Sequence, residues 1–230
     1  MLVRCLLGVC LIGLPAMITS QTSLVDFFKK VLDDRVAQAA HPPITIEVFG
    51  EALCPDTTRF IRNQLMPMWN ALQSTSLVNI SYHPFGLASC TNDHRCQCQH
   101  GNTECTMNQL QACVITALEH VPQLYMSVVA CIQGKRDINK AIYECIVNAN
   151  PRPDLDERFM LQCAQSQLGA KLMAKHGERQ HKIAKELNWV PWVMVNGARE
   201  QNAEVSMHHV LCQFASVSQQ PYCLNGDDNI

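Results

Sequence analysis

The sequence has no basic run. Its 18 lysines and arginines face 20 acidic residues for a net charge of −2, so the electrostatic footprint of a nucleic-acid binder is missing and no nucleic-acid partner is expected. Beyond the N-terminus no apolar stretch approaches the roughly 20 residues that a bilayer span needs. Internal repeats and low-complexity segments are also lacking. Charged residues are only 17% and hydrophobic ones 47% of the 230 positions, which excludes disorder as the main state and allows one sizeable core.

Cysteine is what the chain has in excess, with 13. That density asks either for disulfides in an oxidising compartment or for metal clusters in a reducing one. The N-terminus bears on the choice. Arg4, an apolar run from Cys5 to Leu14, then Pro15 and the small residues Ala16, Thr19 and Ser20 follow the plan of a secretory signal peptide, and the run is too short for a membrane anchor. A signal peptide is therefore expected over residues 1–20, with a soluble product in the secretory pathway. Cleavage would remove Cys5 and Cys10 and leave 13 − 2 = 11 cysteines, an odd number that requires one unpaired thiol. The sequon Asn79-Ile80-Ser81 agrees with secretion and makes Asn79 a glycosylation candidate.

Residues 21–43 have the character of an N-terminal arm or pro-segment, closed by His41-Pro42-Pro43. A single domain is expected over 44–223, with 224–230 as a tail. Ile44 to Phe49 is β-branched and aromatic-rich, and it predicts a buried strand ending at Gly50. Phe60, Ile61, Leu65, Met68, Trp69 and Leu72 recur at three- and four-residue spacing, predicting a helix over 55–72 that Pro67 kinks or splits. A second strand over Leu77 to Phe85 completes a βαβ unit. From about 90 to 170 the chain predicts a helical, disulfide-stapled insertion: a polar loop from Cys90 to Asn108, then helices over 109–132 (interrupted at Pro122), 138–148 and 154–168. A charged helix over 171–188, a strand from Trp189 to the Asn196-Gly197 turn, a short return strand and a closing helix over 207–217 follow.

Cys54 is the candidate nucleophile. It lies just past the first strand and just before Pro55, which suits the first position of a helix. Free N–H groups and the positive end of the helix dipole then point at the sulfur and favour the thiolate. Cys54 also stands apart from the cysteine cluster, more than thirty residues before Cys90. Setting it aside leaves 11 − 1 = 10 cysteines for five disulfides: Cys90, Cys96, Cys98, Cys105, Cys113, Cys131, Cys145, Cys163, Cys212 and Cys223. Only Cys212 with Cys223 suggests itself as a local pair. The cluster with His100 offers atoms that zinc could use, but no clean pair of C-x-x-C knuckles is present and the signal peptide favours disulfides, so no metal is expected. Dithiol oxidoreductases carry a second cysteine three residues after the first, where it resolves the mixed disulfide. Here that position is Thr57, whose hydroxyl can hydrogen-bond a thiolate but cannot resolve.

The run from Cys98-Gln99-His100-Gly101 through Glu104-Cys105 and Asn108 to Cys113 fits the signature C-Q-H-G-x-x-E-C-x-x-N-x-x-x-x-C. By this motif, by strand-then-Cys-Pro at Cys54, by Tyr82 to Gly86 and by Val190 to Gly197, the chain resembles the gamma-interferon-inducible lysosomal thiol reductase family over roughly residues 44–223. The resemblance implies an α/β, thioredoxin-like fold with a helical insertion, a lysosomal or secreted location, and reduction of disulfides in polypeptides at acidic pH. It also implies that Pro191 is cis and faces Cys54, and that Val190 offers backbone hydrogen bonds to substrate. The departure from the family is Thr57. Two functions follow: a thiol-disulfide oxidoreductase that uses Cys54, with no bound cofactor and an external thiol such as cysteine or glutathione as resolver, or a non-catalytic relative that binds cysteine-containing polypeptides.

Overall fold

The structure is a computed structural model that describes residues 26–29, 42–149 and 155–225. The expected signal peptide, most of the N-terminal arm and the last residues of the tail lie outside the described residues. Residues 26–29 are helical.

The sheet forms where β-branched and aromatic residues concentrate. Strand β1 is Ile44–Gly50 and β2 is Val78–Pro84, and they pair in parallel from Ile44 opposite Val78 to Gly50 opposite Pro84. Strand β5, Trp192–Val195, runs antiparallel on the other side of β1. It turns through Asn196 and Gly197, with φ of 50° and 78°, into β6, Ala198–Arg199. Two consecutive positive φ angles are what a tight hairpin requires, and Asn and Gly tolerate them best. The Thr45 amide donates to Asn196 Oδ1 at 2.9 Å and ties that turn to β1. The order is β2-β1-β5-β6. β1 alternates at first, with Ile44, Ile46 and Val48 buried and Thr45 exposed, and is covered on both faces at its end, where Val48 and Phe49 are both fully buried.

The βαβ connection is α1, Pro55–Phe60, one wide π-helical turn, Ile61–Leu65, and α2, Met66–Leu72. The interruption lies ahead of Pro67 rather than at it. Proline lacks the N–H that would bond one turn back, and the backbone relieves this by widening the preceding turn.

After β2, a two-stranded ribbon of β3 (Ser89–Cys90) and β4 (Cys96–Gln97) leads into α3, Asn102–Ala117. This corrects the expected loop through Asn108. The segment looked polar because Glu104, Asn108 and Gln111 are polar, yet all three are buried, so the polar face of α3 points inward. Helix α4, Pro122–Ile132, opens on its proline, and α5, Ile138–Ile142, runs into a second π turn, Tyr143–Val147. The expected helix over 154–168 is α6, Glu157–Ala164, and a new helix α7, Gln167–Ile183, replaces the one placed at 171–188. Ser166 sets this boundary, its hydroxyl accepting from the Leu168 amide at 3.2 Å as an N-cap. The return strand is limited to β6, followed by the short helices α8 (Asn202–Val205), α9 (Met207–Leu211) and α10 (Pro221–Leu224). The closing helix is thus shorter than 207–217. Among the described residues no helix is long and apolar enough to cross a membrane.

Five disulfides staple this frame: Cys90–Cys96, Cys98–Cys105, Cys113–Cys163, Cys131–Cys145 and Cys212–Cys223. Their contributions differ with loop length. Cys113–Cys163 joins α3 to α6 across a separation of 50 residues and by chain entropy contributes about 4 kcal/mol, against about 2 kcal/mol for Cys90–Cys96.

Candidate active site

Cys54 is the only cysteine outside a disulfide among the described residues, and it is buried, 6% exposed. It caps α1 from an extended conformation, and its carbonyl already accepts from the Thr58 amide at 3.0 Å. The Thr57 amide donates to Cys54 Sγ at 3.5 Å, and Sγ lies 3.8 Å from the carbonyl oxygen of Val190. The Val190–Pro191 bond is cis. An amide donor at the sulfur stabilises negative charge there. Thr57, one turn along, is fully buried, and its hydroxyl has no hydrogen-bond partner among the described residues. Gly50 closes the back of the site: a Cβ there would lie 2.6 Å from both the Thr57 methyl and the Tyr82 hydroxyl. Burial pushes the Tyr82 phenol well above its ordinary range, and the charges of Glu51, Cys54 and Glu104 add to this. In front, a cleft of ≈ 290 Å³ runs between α1 and Pro191, with Asp56, Arg59, Gln64, Glu204 and Val205 on its walls.

The loop that carries Cys54 is held by side chains from the insertion. The Ala52 amide donates to Asn108 Oδ1 at 2.8 Å and the Leu53 amide to Glu104 Oε2 at 3.3 Å. In the other direction, Gln133 Nε2 donates to the Glu51 carbonyl at 2.6 Å, and the Gly134 amide donates to the Ala52 carbonyl at 2.8 Å. Glu104 is itself fixed by His100, whose amide lies 3.0 Å from Oε1 and whose Nδ1 lies 2.6 Å from Oε2. Glu51 completes the cluster. Its Oε1 accepts from the Leu87 amide at 2.6 Å, while Oε2 is buried, has no hydrogen-bond partner and lies 3.5 Å from His100 Nδ1. Burial, and then the Glu104 charge, push the Glu51 carboxyl up to about 7 against the pull of the Leu87 amide and His100. Gly86, at φ +61°, lets the chain pass this carboxyl, since a Cβ there would lie 2.3 Å from Glu51 Cγ. Glu51, His100 and Glu104 present one atom each within 4.8 Å of one another. Both Glu104 oxygens are already committed to amides and imidazole, however, so the cluster is not assigned as a metal site. His208 also lies near Cys212 and Cys223, but those sulfurs are joined to each other.

The family model for "Gamma interferon inducible lysosomal thiol reductase (GILT)" matches residues 45–149. A GILT-like protein of Caenorhabditis elegans is 37% identical over 195 residues, covering 82% of this chain and 88% of its own length. The chain belongs to this family. The GILT match extends at lower identity to the gamma-interferon-inducible lysosomal thiol reductase of Mus musculus, 26% identical over 78% of this chain and 71% of that one. Among solved structures, MdbA, a thiol-disulfide oxidoreductase from Actinomyces oris, superposes with a TM-score of 0.56 at 14% identity, over 78% of this chain and 82% of its own. The fold is thioredoxin-like, with the helical insertion set between β2 and α7.

Within this GILT fold the structure brings Cys54, Thr57, Val190 and Pro191 together. The ten disulfide cysteines lie elsewhere, and Asn79 is exposed on β2. Trp189 and Trp192 lie together, ring centroids 5.2 Å apart, but differ in exposure. Trp192 is 5% exposed, with Arg199 3.9 Å over its ring, while Trp189 is 41% exposed and donates to Glu204 Oε2 at 3.2 Å. Sequence reasoning missed Glu51, Gln111 and Gln133 as part of the site. The available signal was an acidic residue in a short strand-to-cysteine loop and a glutamine, Gln133, just past the apolar helix α4, whereas Gln111 was one polar residue among many on α3. It also missed a second polar network on the α7 side of β1. There Arg179 grips Glu47 with two bonds of 2.8 and 3.0 Å, and His83 Nε2 lies 3.3 Å from the same carboxylate. The His83 hydrogen bond, and then Arg179, outweigh burial and hold the Glu47 carboxyl down at about 2. His83 Nδ1 lies 3.0 Å from His176 Nδ1. Burial, and then the His83 and Lys175 charges, push the His176 imidazole down to about 3.

Proposed function

We propose that this GILT-family chain is a thiol-disulfide oxidoreductase that works through Cys54 alone. The observation that carries the proposal is the unpaired Cys54 sulfur at a helix N-terminus, 3.5 Å from the Thr57 amide and 3.8 Å from the Val190 carbonyl before a cis proline. As a thiolate, Cys54 attacks one sulfur of a substrate disulfide. The Cys54–substrate bond forms, the substrate S–S bond breaks, and the departing thiolate takes up a proton. Thr57 has no sulfur with which to cut the mixed disulfide. An external thiol, cysteine or glutathione, does so, and a second equivalent completes the turnover, so that two thiols are oxidised to one disulfide for each substrate bond reduced. The cleft beside Pro191 supports an extended, disulfide-containing polypeptide as substrate. The names of the lysosomal thiol reductases to which the chain is similar support an endo-lysosomal or secreted location, with Asn79 carrying glycan.

One observation favours binding without turnover: Thr57 is fully buried in the resolving position. A single assay separates the two readings, namely reduction of a protein disulfide at acidic and neutral pH by wild type, Cys54→Ser and Thr57→Cys, with and without millimolar cysteine. The oxidoreductase reading expects wild type to act only with added cysteine, Cys54→Ser to be inactive throughout, and Thr57→Cys to complete one turnover unaided. If wild type and Cys54→Ser are indistinguishable under every condition, Cys54 is not a catalyst and binding without turnover is the better reading.

A further inference from the structure

Burying a polar side chain is costly unless it finds a partner. His100, Glu104 and Asn108 do not line the cleft beside Pro191, yet Glu104 and Asn108 are fully buried. They are spent on the backbone instead. Ala52 and Leu53, the two residues before Cys54, donate their amides to Asn108 and Glu104. Glu104 Oε2, which receives Leu53, also receives His100 Nδ1, so a displacement of Glu104 moves the residue next to the thiol. Opposite Glu104 stands Glu51, fully buried, with Oε2 unpartnered and turned toward the same imidazole.

We infer that Glu51, His100, Glu104 and Asn108 are positioning residues for Cys54, and that their clamp is closed while Glu51 holds a proton and loosens when Glu51 and Glu104 are both charged. The inference rests on reading Cys54 as the reactive thiol. The groups that face the Glu51 carboxyl are Glu104 from α3, His100 from the loop before it and Tyr82 from β2, the last of which also feels the charge of Cys54. Gln133 from α4 and the Gly86–Leu87 backbone add no charge. A proton on Glu51 removes one of two like charges that are both shielded from bulk solvent, and the unpartnered Oε2 is the atom placed to carry it. The carboxyl of Glu51, already raised to about 7, sets the window: closed at mildly acidic pH, loosened above neutrality.

The test is amide hydrogen exchange on the full chain at several pH values, with each rate divided by the intrinsic base-catalysed rate. Protection at Ala52 and Leu53 is expected to fall by at least about tenfold between pH 5.5 and 8 in wild type, while Val48 in β1 keeps its own. Glu51→Gln should flatten that fall. If Glu51→Gln does not fold, Glu104→Gln removes the same repulsion and carries the same expectation against a lower starting protection. A wild type with no transition at Ala52 and Leu53, or a folded variant that keeps it unchanged, overturns the inference. Because no disulfide is reduced in this measurement, a chain that shows the transition but never reduces a disulfide counts against the proposed function alone.

Discussion

Glu47, midway along β1, and Glu51, just past its end, are driven in opposite directions, Glu47 down to about 2 and Glu51 up to about 7. Both sit in largely enclosed surroundings, so burial alone does not separate them. Glu47, on the α7 side, faces an imidazole and a bidentate guanidinium. Glu51, on the insertion side, faces a second carboxylate and a single shared imidazole. Burial leads at Glu51 and the Glu104 charge adds to it, whereas at Glu47 the His83 hydrogen bond and Arg179 outweigh burial. At mildly acidic pH, Glu47 is therefore ionised and paired while Glu51 is neutral.

The largest expected effect is at Glu51. Its folded-state pKa lies above the ordinary 4.5, so the native state binds the proton more tightly than the unfolded chain. Wild-type stability should fall as pH rises from about 4.5 to about 7, by up to about 3 kcal/mol, and then level off. Denaturant unfolding of wild type and Glu51→Gln across pH 4 to 8 checks this, since the variant should lack that fall. Glu47→Gln should show the opposite sign. A depressed carboxyl stabilises above 4.5 and loses its contribution as pH falls through about 2, so the variant should lose about 2 kcal/mol at neutral pH, after discounting for the half-exposed Arg179. The gap should close as both proteins are acidified toward pH 2. The smallest effect is expected from Arg179→Met, under about 1 kcal/mol. The Glu47 titration followed by carboxyl NMR should move up only part of the way, because the stronger restraint, His83, remains. Equal and same-signed pH responses at Glu47 and Glu51 would break the comparison.

Neither half of this contrast was visible in the sequence. Strand β1, the Cys54-Pro55 helix start and the need for one odd cysteine are local or countable, so they could be read directly. The signature residues His100, Glu104 and Asn108 marked the family, but their task could not be read, because Asn108 meets Ala52 and Glu104 meets Leu53 across more than fifty positions. The same fact hid the start of α3: its polar residues face inward, where periodicity reasoning expects apolar ones. Gln133 and His83 were equally silent, since a glutamine or histidine on an element announces nothing until its partner is known. The boundary at Ser166 is a different kind of miss. A Ser before a helical pattern is a legible cap, and the longer apolar spacing masked it.

The five bridges described above differ in how far they are shielded. Cys113–Cys163 is buried at both ends, 2% and 3% exposed, whereas Cys90–Cys96 and Cys212–Cys223 are only partly covered. Exchange needs a thiolate to approach along the S–S axis, so a covered bridge is kinetically closed to attack. The free thiol that the proposed reaction calls for is also a reagent against any exposed bridge of the protein itself. The arrangement makes its losses graded: the ribbon and the C-terminal turn are sacrificed first, and the staple joining α3 to α6, on which the clamp behind Cys54 hangs, is surrendered last.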